Sequence, residues 1–248
     1  MRGRDVTLEA SRRSCLVVAP HPDDETLGCG ATIARKVDAA APVWVLIATD
    51  GRHSHDSAVI PPEELGPIRT EEARSACRVL GLPDQHLRQL CWEDSRLGER
   101  QEELDDVILS VLREVRPAEV LVPSARDWHP DHQSVNRAAR VALARDPALG
   151  ARLLEYPIWH WAEGPWLRHG RRPLTAKIVD VVREPWATMT GSRPELVASG
   201  PYLDRKRAAL ACYRSQLQNL SGEQTWAVFD QRFLNAFLRR YELFLPAG

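Results

Sequence analysis

Short apolar runs alternate with amphipathic stretches over the first two-thirds of the chain. Ser14–Ala19 (SCLVVA) reads as a buried strand. It leads through PHPDDETLGCG into ATIARKVDAA, which has helical composition. Val43–Thr49 (VWVLIAT) is a second strand-length run and ends at Asp50-Gly51. The polar residues 52–66, with Pro61-Pro62 and Gly66, predict a long loop. Ile68–Leu80 is amphipathic and stops at Gly81, a helix C-cap signal. His86–Leu90 reads as a short strand. In Glu99–Val115 the apolar residues Leu104, Val107, Ile108, Val111, Leu112 and Val115 recur at the spacing of one helix face. Pro117 ends that helix, Glu119–Pro123 gives another strand, and Asp131–Arg145 another helix. The last third is less regular: Leu153–Trp159 and Ala176–Val182 read as strands, Pro201–Leu217 and Phe229–Leu245 as helices.

Strands alternating with helices imply right-handed crossovers and a mostly parallel sheet. The expected fold is therefore α/β and Rossmann-like, with helices flanking the sheet and the active site at the carboxyl ends of the strands. No repeat, low-complexity tract or linker divides the chain, so residues 1–248 are expected to form one domain. Composition changes little. The 248 residues are 44% hydrophobic and 27% charged, an ordinary globular mix. Lys+Arg is 33 and Asp+Glu is 34, so no basic excess points to nucleic acid. No apolar run approaches the roughly 18 residues that span a membrane. The charged N-terminal stretch MRGRDVTLEASRRS lacks a signal-peptide core. The five cysteines are odd in number and scattered, without a CxxC, which suits a reducing, cytoplasmic setting.

Two stretches carry candidate chemistry. His21-Pro22-Asp23-Asp24-Glu25 follows the first strand, and His129-Pro130-Asp131-His132 follows the strand ending at Pro123. In a doubly wound sheet both would meet where the strand order reverses. His21, Asp24 and His132 can supply the three ligands of a catalytic zinc site that keeps a position open for water. His129 could polarise or protonate a reacting group, and Asp131 could orient His129. The bland alternative is that Asp23 or Asp24 caps the following helix and that the His-Pro turns bind no metal.

PHPDDE followed by HPDH, with Arg69-x-x-Glu72 between them, resembles the PIG-L/LmbE-like superfamily of zinc-dependent de-N-acetylases, which act on N-acetylglucosamine-containing glycosides and related N-acyl sugars. The resemblance covers residues 15 to 140. It implies His21, Asp24 and His132 as ligands of zinc or another divalent ion, and Asp23 as general base. It implies that His129, paired with Asp131, stabilises the oxyanion or protonates the leaving amine. It places Arg69 and Asp94 at sugar hydroxyls. Residues 14–146 carry the motifs; 150–248 would set substrate choice. One departure stands out: some thiol-sugar branches have a tyrosine where this chain has Asp127, followed by Trp128. The expected activity is hydrolysis of an N-acetylated amino sugar, with homo-oligomerisation left open. The alternatives are an amidase that cuts a larger N-acyl group and a non-catalytic sugar-binding module.

Other residues invite plainer readings. His53 and His55 fall in the loop after Asp50-Gly51 as solvated histidines or substrate contacts. Trp159, Trp161 and Trp166 could stack on a sugar or fill a core. His160 and His169 are metal candidates by type alone. Cys29 lacks a paired base and reads as packing, and Arg168–Arg172 and Arg239-Arg240 as solvated faces.

Overall fold

The computed structural model describes residues 3–159 and 193–247. The expected alternation is present as β2 (Cys15–Ala19), α2 (Asp24–Asp38), β3 (Val43–Thr49), α3 (Pro62–Val79), β4 (Leu87–Trp92), α4 (Gln101–Val115), β5 (Glu119–Pro123), α5 (Pro130–Arg145) and β6 (Arg152–Tyr156). A short β1 (Arg4–Asp5) and α1 (Thr7–Arg12) precede them; β7 (Glu195–Ala198) and β8 (Tyr241–Pro246) follow. Among the described residues these eight strands form one sheet in the order β1-β7-β8-β6-β5-β2-β3-β4. Pairing is parallel from β4 through β6. Only β8 runs against its neighbours β6 and β7.

The centre of the sheet fixes the site. β2 pairs with β3 on one side (Cys15 opposite Val43) and with β5 on the other (Cys15 opposite Glu119). The chain leaves β2 toward β3 and β4, then crosses back to β5, so strand order reverses between β2 and β5. The loops after these two strands are the ones that carry HPDDE and HPDH. Every residue of β2 and β5 is buried. Alternate side chains face opposite layers. Cys15, Val17 and Ala19 pack with α2, α3 and the helix Leu203–Leu210. Leu16 and Val18 pack with α4 and α5. α2 lies so close to β6 at Gly28 that a Cβ there would come within 2.3 Å of the Tyr156 ring.

Three sequence expectations need correction. α3 begins at Pro62, inside the stretch read as loop. Pro61-Pro62 suit a helix start, where a missing N–H costs nothing, and Glu63 and Glu64 suit its positive dipole end. Phe229–Leu245 is a helix only over Gln231–Phe237 and then becomes β8. The alternation of β8 was hidden because one inward position is Glu242, a charge buried against Lys206 at 2.7 Å. Pro201–Leu217 breaks into the helices Leu203–Leu210 and Arg214–Leu217 around the buried Tyr213. The Ala176–Val182 strand, His160, Trp161, Trp166, His169 and Arg168–Arg172 lie outside the described residues. Among the described residues no helix is long and apolar enough to cross a membrane.

Candidate active site

Adjacent loops after β2 and β5 bring the two motifs together, and Asp24 is their meeting point. Its Oδ2 lies 3.2 Å from His21 Nδ1 and 3.3 Å from His132 Nε2. The other nitrogen of each imidazole is tied to a second carboxylate. His21 Nε2 bonds Asp131 Oδ2 at 3.0 Å, and His132 Nδ1 bonds Asp127 Oδ2 at 2.9 Å. In neutral imidazoles with those nitrogens donating, His21 Nδ1 and His132 Nε2 would direct lone pairs at a carboxylate oxygen, an arrangement that either protons or a cation between them relieves. His132 is fully buried and its Nε2 has no hydrogen-bond partner. The two distances match the edge of roughly 3.3 Å that a tetrahedron with bonds of about 2.0 Å requires. On these observations the donor set fits a divalent metal. A donor nitrogen of His129 also falls within 4.8 Å of donors on His21 and His132.

The electrostatics agree. Burial pulls the His21 imidazole down, but hydrogen bonds and charge from Asp131 and Asp24 outweigh it and hold the pKa at about 10. His132 is likewise held at about 9, with burial opposed by Asp24 and Asp127. For Asp24, burial is overcome by His132 and His21, which keep its carboxyl well below the usual range. The cluster is thus built to hold positive charge. Asp23, buried beside it, goes the other way: desolvation lifts it to about 8 although Arg69 opposes this. That places a base near neutrality.

Asp23 stands just ahead of α2 with φ of 126°, a region that costs an L-residue on the order of 1–3 kcal/mol. Its Oδ2 accepts from Arg69 Nη2 at 2.9 Å. Arg69 reaches across from α3 and also donates to Pro22 O and Gly51 O, at 2.6 and 3.1 Å. Gly51 has φ of 65°, and a Cβ there would fall 2.2 Å from Arg69 Nη1. The guanidinium expected at sugar hydroxyls is therefore largely engaged by protein; its Nε is the unpaired nitrogen. Asp94 accepts from His53 N at 2.9 Å.

His129 caps α5, its Nδ1 accepting from Asp131 N at 3.2 Å. The expected pairing of the Asp131 carboxylate with His129 is corrected here. That carboxylate serves His21 and accepts from Ser95 N at 2.6 Å and Leu97 N at 3.2 Å. Burial, with His21 and His132 close by, holds His129 down to about 4.

A cavity of about 390 Å³ opens over these groups. His21, Asp23, Asp24, Arg69, Asp94 and His129 line it. So do His53 and His55; His55 stacks on Trp226, with ring centroids 4.1 Å apart. Trp128, Trp159, Phe229 and Phe233 give it an aromatic wall. Cys29 is fully buried in the core. The sequence reading missed Asp127 as the partner of His132. The signal was a carboxylate five residues ahead of a candidate ligand, in the same loop. It also missed Phe229 and Phe233, which no motif marks.

Over 140 residues the chain is 34% identical to a probable N-acetyl-alpha-D-glucosaminyl L-malate deacetylase 2 from Bacillus cereus, covering 54% of this chain and 63% of that protein. It is 32% identical over 124 residues to a diacetylchitobiose deacetylase from Thermococcus kodakarensis, covering 49% and 45%. The alignments thus span roughly half to just under two-thirds of these curated relatives. The fold is similar to that of an N,N'-diacetylchitobiose deacetylase from Pyrococcus horikoshii, with TM-score 0.65, 21% identity, and coverage of 94% of this chain and 82% of that one. Residues 16–143 match the PIG-L family, described as GlcNAc-PI de-N-acetylase, and the chain belongs to that family.

Proposed function

We propose that the chain is a metal-dependent N-deacetylase that acts on an N-acetylglucosamine-type glycoside and releases acetate and a free amino sugar. The observation that carries this reading is the convergence of His21 Nδ1, Asp24 Oδ2 and the unpartnered His132 Nε2 beside a buried Asp23. His21, Asp24 and His132 would hold zinc, which supplies Lewis acidity to the amide carbonyl and acidifies water. Asp23 takes the proton from the attacking water and passes it to the amide nitrogen as the C–N bond breaks. Because His129 Nδ1 accepts the Asp131 N–H, its proton sits on Nε2. With its pKa held near 4, His129 works as a neutral donor to the developing oxyanion. Asp94 is assigned to a sugar hydroxyl; Arg69, expected there too, has both Nη groups on Gly51 O, Pro22 O and Asp23 and serves the base instead. Residues 14–146 carry the chemistry, and 150–248 choose the substrate within one domain.

The test is a panel of N-acetylglucosaminides assayed for acetate, with and without a strong chelator. Acetate release that chelation abolishes and zinc restores is the expected result. Release indifferent to the chelator contradicts the metal assignment, and no release from any member contradicts the deacetylase.

A further inference from the structure

Asp23 needs more than Arg69 to stay where it is. Its φ of 126° comes with bonds on both sides of the residue. The N–H of Asp23 donates to Glu25 Oε2 at 3.2 Å. Its carbonyl accepts from Thr26 N and Leu27 N, at 3.0 and 2.8 Å. Turning Asp23 to an ordinary φ would swing its N–H away from Glu25. The Glu25 carboxylate is itself fully buried, and its Oε1 accepts from Thr26 Oγ1 and from the Tyr213 hydroxyl. Tyr213 is 1% exposed and lies between the helices Leu203–Leu210 and Arg214–Leu217, beyond the family match at 16–143. Two residues on, Ser215 donates from N and Oγ to Glu72, at 2.8 and 2.6 Å. Glu72 stands three residues from Arg69 on α3. One helix therefore grips Asp23 through Arg69 and grips the segment bearing Tyr213 through Glu72.

We propose that Tyr213 and Glu25 are positioning residues: they hold the strained backbone of Asp23 so that its carboxylate stays on Arg69 and faces the metal donors. Glu25 acts on the Asp23 N–H, and Tyr213 acts on Glu25. The proposal rests on Asp23 being the base of the deacetylase reading. It gives the Arg69-x-x-Glu72 pattern a physical purpose, joining the base to a part of the chain that carries none of the motifs.

The variants Tyr213→Phe and Glu25→Gln test it: the first removes the hydroxyl that bonds Glu25, the second weakens the acceptor shared by Asp23 N, Thr26 and Tyr213, and each changes volume little. On the zinc-loaded full chain, each is expected to lower kcat about 10–100-fold, the scale of a misplaced catalytic group. KM should stay within about two-fold and zinc content should not change. In an Asp23→Asn background neither should cost anything further, because the group they position no longer acts as a base. In crystals of either variant Asp23 should leave φ near 126° or its carboxylate should leave Arg69. An unchanged kcat, or an equal loss with and without Asp23→Asn, overturns the proposal. Should one variant fail to fold, the other decides. If the wild type cleaves no N-acetyl sugar, the deacetylase reading fails. The crystallographic position of Asp23 then judges the positioning claim by itself.

Discussion

Four aspartates surround the candidate histidine ligands, and what each touches sets its task. Asp24, itself a candidate ligand, meets the two candidate histidine ligands, Asp131 and Asp127 fix their tautomers, and Asp23 is left with Arg69. HPDDE and HPDH made His21, Asp23, Asp24, His129 and His132 legible because their residue types are unusual together at strand ends. Asp127 was only faintly marked in that role, by its place five residues ahead of His132, and the path of the loop is what brings the two together. Asp131 was legible as a partner but not as whose, because only the adjacency of β2 and β5 brings His21 to it. The metal should compete with protons. With His21 held at about 10 and His132 at about 9, both imidazoles carry protons that binding must expel. Zinc affinity should therefore rise steadily from pH 6 to pH 8. Removing the carboxylate that orients His132, by Asp127→Ala, should weaken zinc by about 10–100-fold at any of these pH values. Competition with a chromogenic chelator across that range measures both; pH-independent affinity would contradict the assignment of these ligands.

At the scale of elements, α2 matters most, because its N-terminal turn carries Asp24 and follows Asp23. An inserted ion pair holds it. Lys206 Nζ donates to Leu27 O, while Glu242 accepts from Ala31 N and Thr32 N, and the two side chains meet at 2.7 Å. Both are almost fully buried. Lys206→Met leaves Glu242 charged and unpaired in the core and should cost about 3–5 kcal/mol. Denaturant unfolding of the variant against wild type gives that number, and a cost below 1 kcal/mol would mean the pair does not brace α2. The strands and helices from β2 to α5 could be read from periodicity because their buried faces are apolar; β1 and α1 were not read. β8 could not, because Glu242 occupies an inward position that periodicity assigns to a hydrophobe. The start of α3 was hidden by Pro61 and Pro62, which read as loop until the first helical turn is seen to need no N–H.

Taken whole, the chain places its chemistry and its support in different halves. The family match ends at residue 143, yet the sheet is completed by β6, β7 and β8. α2 is braced by Lys206 and Glu242, and Phe229 and Phe233 wall the cavity. Each of these contacts joins residues far apart in sequence, and no local signal announces such contacts. The division of labour between Asp23 and the three ligand candidates nevertheless involves few residues, and one measurement tests it: acetate released from an N-acetylglucosaminide, with zinc bound per chain determined on the same samples, for wild type and Asp23→Asn. Wild type should bind one zinc and release acetate. Asp23→Asn should bind one zinc and release acetate about 10²–10⁴-fold more slowly, the usual loss for a general base. Equal rates, or zinc lost together with the carboxylate of Asp23, would contradict the division of labour between Asp23 as base and His21, Asp24 and His132 as ligands.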